Sequence, residues 1–140
     1  MNEKFKILAN FIKDMSSETP DVQSYLFVKD NISKYHLNIN ITSKPLKNKM
    51  IEVSTILKFE DKNLNEKRSN FEIVYITIIK IDESVKDKKE LEKIVICDLQ
   101  NKIYPKIEKI FLNLLDLSGF SGVKIEKKID FDKLYNERTN

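Results

Sequence analysis

The middle of the chain alternates hydrophobic and polar residues in a way that predicts three β-strands. The stretch YHLNINI, residues 35–41, has an apolar residue at every second position, with His or Asn between them. MIEVSTILKF, residues 50–59, alternates similarly, and FEIVYITIIKI, residues 71–81, is apolar on both sides at its centre. Alternation is typical of a strand with one solvated face, whereas a strand that is apolar on both sides is covered on both.

Two polar connections separate these strands. They are residues 42–49, which include Pro45, and the highly charged residues 60–70. Neither is a two-residue turn, so we expect longer hairpin loops. Because neither connection carries the helix that a parallel crossover needs, the three strands are predicted to pair antiparallel.

Past Ile81 the apolar spacing changes from two residues to three and four, which predicts helices. One helix is expected within residues 82–103. A second is predicted to start at Pro105 and end at Gly119, since proline suits a first turn and glycine a left-handed helix end. A short last helix is expected at residues 131–138. Strands followed by helices predict an α+β fold, with the helices on one face of an antiparallel sheet.

The first fifteen residues fit two patterns. Helical spacing joins Phe5, Leu8, Ile12 and Met15. Strand spacing joins Phe5, Ile7, Ala9 and Phe11. Periodicity alone leaves both structures open.

Composition indicates one soluble domain over residues 1–140. Hydrophobic residues make up 41% of the chain and charged residues 34%, which is enough apolar material for a core. No apolar run approaches the roughly 18–20 residues of a membrane span, and the N-terminus lacks a signal-peptide pattern. A single cysteine excludes an intrachain disulfide. We therefore expect a cytoplasmic protein without membrane insertion.

The residues that carry catalytic chemistry are scarce, so we expect neither an enzyme nor a cofactor or metal site. The one histidine, His36, lies on the polar side of a predicted strand, where a solvated role is typical. Cys97 lies in a helical apolar run and behaves there as a small hydrophobic residue. With two glycines, the chain offers no phosphate-binding loop.

Three separated segments resemble the SecB family of protein-export chaperones. FIKDMSSETP, residues 11–20, matches that family's aromatic-x-K-D-hydrophobic-S-x-E-x-P signature. Gly119-Phe120 followed by IDFDKLY, residues 129–135, resembles the family's closing segment. CDLQNKIYPKIEK, residues 97–109, resembles its helix junction. With the strands and helices between them in the family's order, the resemblance runs from about residue 5 to residue 135, nearly the whole chain.

The resemblance implies a SecB-like fold: a four-stranded antiparallel sheet followed by two to three helices on one face, assembled as a tetramer that is a dimer of dimers. It implies a strand at about residues 4–12. The implied function is ATP-independent holding of unfolded precursor proteins and their delivery to the SecA motor. The chain departs from the family at Asp98, where a proline is usual, at Asn31, where tryptophan is common, and in its net charge of +3.

The same resemblance assigns residues to three surfaces. The SecA-binding residues would be Asp14, Glu18 and Glu72. The client-binding groove would include Tyr25, Phe27, Ile103, Tyr104 and Phe120, although Ile103 and Phe120 fit a core role better. The oligomer interface would be formed by Phe71, Ile73 and Tyr75, which share one face of their strand. For each residue, an ordinary place in the core or on the solvated surface is the competing interpretation.

Two further functions remain open on the sequence. One is a SecB-like adaptor for a non-secretory client, of the toxin–antitoxin type. The other is a small basic α+β domain that binds nucleic acid. The second needs exposed aromatic residues interleaved with lysines, and residues 75–81 offer only Tyr75 and Lys80. A basic surplus of 25 over 22 residues is also small, so no nucleic-acid partner is expected.

Overall fold

The computed structural model describes residues 4–61, 68–125 and 129–139, which form an antiparallel sheet and a set of helices. In chain order the elements are strand β1 (Phe5–Glu18), helix α1 (Val22–Asn31), a 3₁₀ turn (Ile32–Lys34), strands β2 (His36–Pro45), β3 (Met50–Glu60) and β4 (Asn70–Ile81), helix α2 (Lys88–Lys93), a π-helical turn (Ile94–Asp98), and helices α3 (Leu99–Leu117) and α4 (Phe131–Thr139).

The four strands pair antiparallel in the order β1-β4-β3-β2. The predicted α+β class and antiparallel pairing are therefore confirmed. The N-terminal segment is a strand, as the resemblance implied, but it extends to Glu18 rather than ending near residue 12. Its pairing with β4 shifts register at Leu8 and again at Lys13, which makes each an extra, bulged residue. The bulges leave Phe5, Ile12 and Met15 on the helix-facing side of the strand and move Ala9 and Phe11 to the other side, so simple alternation does not hold along β1.

The helices cover one face of this sheet. Alternate residues of β4 from Phe71 to Ile81 point toward them and are buried. Contacts between the layers run from Asn10 to Lys106, from Ser17 to Ser118, and from Thr55 to Gln100. All three sheet residues lie on the face that Phe71 and its alternates share. The opposite face carries no helix in the described residues.

The helical half differs from the prediction at Pro105. This proline lies inside α3, and α2, the π-helical turn and α3 follow one another without a break from Lys88 to Leu117. A proline removes the hydrogen bond to the carbonyl four residues earlier, here that of Asn101. Asn101 and Pro105 are both exposed, so water can hydrate the freed carbonyl and the helix continues.

The connections between β1 and β2 and between β2 and β3 also contain structure that the sequence did not predict. Helix α1 lies between β1 and β2, where no helix was expected. Residues 42–49 are mostly strand: β2 reaches Pro45, and β3 follows a tight turn in which Asn48 and Lys49 have φ of 61° and 60°. The amide of Met50 donates to the carbonyl of Lys47 across this turn at 3.3 Å. Of the other predicted loop, residues 62–67 lie outside the described residues.

The turn generates a stability prediction. Positive φ at two successive positions suits Asn-Gly, whereas Lys49 has a Cβ that disfavours this conformation. We expect Lys49→Gly to stabilise the protein by about 0.5–1 kcal/mol. Urea unfolding at fixed protein concentration measures the change. The control is Lys47→Gly, just before the turn, which should not stabilise; an equal effect of both variants would contradict this explanation.

Candidate functional site

The three predicted acidic residues converge on the helix-free face of the sheet. Asp14 pairs with Val74, Ser16 with Glu72, and Glu18 with Asn70. Side chains of directly paired residues share a face of the sheet, so Glu72 lies on the same face as Asp14 and Glu18 and between them. Such diagonal neighbours on paired strands typically lie about 7–8 Å apart between their Cα atoms. Asp14 and Glu18 are exposed and Glu72 is half-buried. The structure thus groups three carboxylates that lie up to fifty-eight positions apart in sequence.

One lysine and an apolar centre border this acidic group. Lys58 on β3 pairs with Glu72, which leaves the local charge negative. Further along the same face, Phe11 pairs with Ile76 and is 48% exposed, whereas Ile76 is 2% exposed. Phe11 was not predicted as a site residue. Its place on this face follows from the bulge at Leu8, because a strict alternation from Phe5 would have put Phe11 among the helix-facing residues.

Two of the predicted groove residues meet at the end of α3. The rings of Tyr25 and Phe120 lie 5.1 Å apart, and the Tyr25 hydroxyl donates to the Gly119 carbonyl at 2.7 Å. Gly119 has φ of 96° and ends the helix as predicted: its amide donates to Asp116, and that of Phe120 donates to Leu115. This turn places Phe120 against the sheet and Tyr25 above it.

A cavity of about 670 Å³ opens next to this pair. It lies between residues 32–37 and residues 121–125, and Phe59 also lines it. Phe27 on α1 is 42% exposed, and the guanidinium of Arg68 lies 3.6 Å from its ring centre. This aromatic and partly open region is what an apolar client side chain requires.

The other predicted groove residues lie elsewhere. Ile103 and Tyr104 are 4% and 7% exposed, and the Tyr104 ring packs edge-on against Phe131 of α4 at 5.4 Å. Burial, with a smaller contribution from Glu108, raises the pKa of Tyr104 to about 12. Phe120 is 4% exposed, so both Ile103 and Phe120 occupy the core, in agreement with the interpretation preferred for them.

The residues expected at the oligomer interface also lie in the core. Phe71, Ile73 and Tyr75 are 2%, 0% and 1% exposed because the chain's own helices cover them. A side chain covered this fully offers no surface to a second copy. The apolar side chains that do remain open on the sheet belong to β1 and are 42–48% exposed: Leu8, Phe11, Ile12 and Met15. The signal for these residues in the sequence was that the first fifteen residues fit both helical and strand spacing. Periodicity alone did not distinguish a bulged strand from a helix.

A further groove, missed in the sequence, follows the edge strand β2. Two cavities of about 380 and 410 Å³ lie along it and share Lys88 and Leu91 as lining residues. Arg138 of α4 lines the first cavity and donates to the backbone carbonyl of Ile41 at 3.0 Å. No local pattern marks this groove, since its walls come from segments about fifty residues apart.

Helix α4 is held over the π-helical turn by Cys97. Its thiol donates to the Asp132 carboxylate at 2.7 Å and is 3% exposed. Burial, then the hydrogen bond and charge of Asp132, raise the pKa of Cys97 to about 11. The thiol is therefore protonated and poorly nucleophilic, as expected from its apolar surroundings.

Within residues 4–61, 68–125 and 129–139, no three His, Cys, Asp or Glu side chains cluster as a metal site would need. None of the helices described is long and apolar enough to cross a membrane. Open apolar grooves, an exposed acidic face and a bulged edge strand are the surfaces that this α+β scaffold offers to other molecules.

Comparison with known proteins identifies the family. The family model described as "Preprotein translocase subunit SecB" matches residues 1–140, and the chain belongs to the SecB family, whose members are protein-export chaperones. The chain is 61% identical over 140 residues to a putative protein-export protein SecB of Pelagibacter ubique, with 100% of both chains covered. It is 24% identical over 132 residues to the protein-export protein SecB of Mesorhizobium japonicum, covering 94% of this chain and 77% of that protein.

A solved structure supports the fold. The SecB-like chaperone of Mycobacterium tuberculosis, in complex with a peptide from the HigA1 antitoxin, superposes with a TM-score of 0.67 at 9% identity. The match covers 90% of this chain and 88% of that one. At this identity the likeness concerns the fold, and it agrees with the strand-and-helix arrangement described above.

The contact between Gly119 and Tyr25 generates a prediction about the aromatic region. A Cβ at Gly119 would lie 2.7 Å from a Tyr25 ring carbon, in addition to the strain of its φ of 96°. We expect Gly119→Ala to destabilise the protein by about 2–4 kcal/mol. Gly122 has φ of 80° but nothing within 4 Å of such a Cβ, so Gly122→Ala should cost only about 1–2 kcal/mol.

Urea unfolding of both variants measures the difference. Adding Tyr25→Leu should recover part of the Gly119→Ala loss, because the shorter side chain removes the clashing ring atoms. Equal losses for the two glycine variants, or no coupling to residue 25, would contradict the packing explanation.

Proposed function

We propose that this protein holds unfolded precursor proteins in the cytoplasm without ATP and delivers them to the SecA motor. Membership in the SecB family over residues 1–140 is the observation that carries the proposal. The described residues add a physical basis, since they combine open apolar grooves with an acidic face. Such surfaces suit the binding of other proteins.

The client is proposed to bind where apolar side chains and open backbone groups lie side by side. The aromatic region near Tyr25 and Phe27 supplies the apolar side chains, and the β2 edge supplies the open backbone groups. An extended chain that pairs with an edge strand gains main-chain hydrogen bonds that any sequence can form. Several weak contacts along one long client then add through effective concentration.

SecA is proposed to bind the acidic group formed by Asp14, Glu18 and Glu72. Asp14 and Glu18 are exposed and Glu72 is half-buried. The group lies on the face that carries no helix in the described residues, and Lys58 pairs with Glu72. Carboxylates arranged in this way attract a basic partner surface, speed its association and lose much of that effect at high salt.

Assembly is proposed to use β1 rather than the core residues Phe71, Ile73 and Tyr75. A long edge strand with open backbone groups and four apolar side chains exposed by 42–48% is prone to associate. Pairing with a second copy would cover it, and two such pairs would complete the dimer of dimers. A contact of this kind joins identical patches across a two-fold axis.

The holding and delivery activities are tested together on one pair of variants. The wild type should suppress aggregation of a reduced secretory precursor without ATP, and Asp14→Lys/Glu18→Lys should retain that suppression. Binding of the double variant to SecA should fall about tenfold or more at low salt, because two charges on the contact are reversed. Light scattering and a SecA titration measure the two activities.

The matched control is Glu83→Lys/Asp116→Lys, the same charge change at exposed positions away from the sheet face. It should leave SecA binding intact. Equal loss in both double variants would show that net charge, not this face, governs the contact. A wild type that suppresses no aggregation but is retained on a nucleic-acid column at physiological salt would favour the nucleic-acid binder. Protection of an antitoxin, but not of precursors, would favour the adaptor.

The assembly proposal predicts a change of size. Phe11→Glu places a charge in the proposed contact, and we expect light scattering with size exclusion to show particles smaller than the wild type. Val22→Glu, at a residue 73% exposed on α1, serves as the control and should keep the wild-type size. A wild type that is monomeric at micromolar concentration, or a control that dissociates as readily, would overturn the assignment to β1.

A further inference from the structure

The strand β2 forms one edge of the sheet, and its outward-facing groups can be assigned residue by residue. The amide of Leu46 donates to Met50, so even-numbered residues of β2 direct their backbone groups toward β3. In an antiparallel pair the next residue directs both groups away. The backbone groups of Ile41, Ser43 and Pro45 therefore point away from β3, toward the open edge of the sheet. Pro45 has no backbone N–H that could donate there.

The outward carbonyl of Ile41 is already taken by the chain itself. Arg138, near the end of α4, donates to it at 3.0 Å and also lines the cavity beside Ile41 and Ser43. A strand added to β2 would need this same carbonyl. The guanidinium thus occupies the position at which the amide of an added strand would bind.

The attachment of α4 is graded along its length. Phe131 at its start is 3% exposed and packs on Tyr104, and Asp132 accepts the Cys97 thiol. Leu134 is half-buried, and Glu137 and Arg138 are exposed. Tyr135 is half-buried and donates to the Lys89 carbonyl at 3.3 Å, and Arg138 reaches the sheet through its bond to Ile41. Of the α4 side chains that the structure describes, Phe131 alone is buried, so release of the helix exposes little apolar surface.

We propose that α4 is a releasable latch over the β2 edge, so that its docking and the addition of an unfolded client strand at Ile41 and Ser43 exclude each other. The inference rests on the proposed holding function and adds its regulation. The occupant is an extended client segment, whose backbone pairs with β2 and whose apolar side chains contact Leu91, Val95 and Ile96. The groove beside β2 is also lined by polar and charged residues, which are Thr42, Ser43, Lys88, Glu92 and Arg138. The latch protects an open sheet edge while no client is bound.

The chain carries its own reporter for this equilibrium. Cys97 is the sole cysteine and is buried beneath α4 through its bond to Asp132. A thiol reagent such as DTNB should react with it when α4 leaves its position. The probe client is reduced, carboxamidomethylated α-lactalbumin, a permanently unfolded chain without free thiols. Its addition to the wild type should accelerate Cys97 labelling in a saturable way.

The test variant is Arg138→Ala and its matched control is Lys133→Ala, which removes the same charge from an exposed position of the same helix. Arg138→Ala should bind the probe about three- to tenfold more tightly, because α4 is released from the β2 edge in a larger fraction of molecules, and these can bind the client. It should also label faster without client. The control should stay within about twofold of wild type in both measurements. Urea unfolding of each variant separates helix release from global unfolding.

The outcomes distinguish this proposal from the function on which it rests. If the wild type fails to bind the probe, the holding function itself fails. If the wild type binds but Arg138→Ala changes neither affinity nor labelling, or the client slows labelling of Cys97, the latch is overturned while holding stands. Growth of Arg138→Ala into larger oligomers, seen by light scattering, would identify a second copy as the occupant of the β2 edge and would also overturn it.

Discussion

The edge-to-face contact between Phe71 and Phe120, with 5.6 Å between ring centres, connects the sheet to the end of helix α3. Phe71 belongs to the central strand β4, and Phe120 follows the turn that ends α3. Tyr25 stacks on Phe120 and binds the Gly119 carbonyl, which ties α1 to the same point. Truncating a buried phenylalanine typically costs about 3–5 kcal/mol, a large share of a small domain's stability. The sheet, the long helix and the first connection therefore depend on one aromatic cluster.

A buried polar contact serves the other half of the helix layer. Gln100 and Thr55 are each 0% exposed and bond to one another at 3.0 Å, and Gln100 also reaches the carbonyl of Val95 in the π-helical turn. A buried amide without partners would be strongly destabilising. The glutamine therefore fixes the register of the helices on the sheet in a way that an apolar residue would not.

The two edges of the sheet are treated differently. The edge at β2 ends in Pro45 and is bridged by Arg138, both of which oppose the addition of a strand. The edge at β1 carries bulges at Leu8 and Lys13 but keeps exposed apolar side chains. This asymmetry underlies both proposals. The β1 edge, which keeps exposed apolar side chains, suits a permanent contact with a second copy. The β2 edge, which Arg138 covers, suits a client that exchanges with α4.

The sequence by itself determined strands β2, β3 and β4, their antiparallel pairing, the α+β order and the left-handed end of α3 at Gly119, because these follow from local spacing and backbone preference. Family-like segments added the first strand and the acidic group. Only the tertiary structure decided which side of β4 the helices cover, since Val74, Ile76 and Ile78 on one side of its centre are as apolar as Ile73, Tyr75 and Ile79 on the other. It also decided that Pro105 lies within a helix and that Arg138 meets Ile41, because solvent exposure and contacts across ninety-seven positions leave no trace in local periodicity.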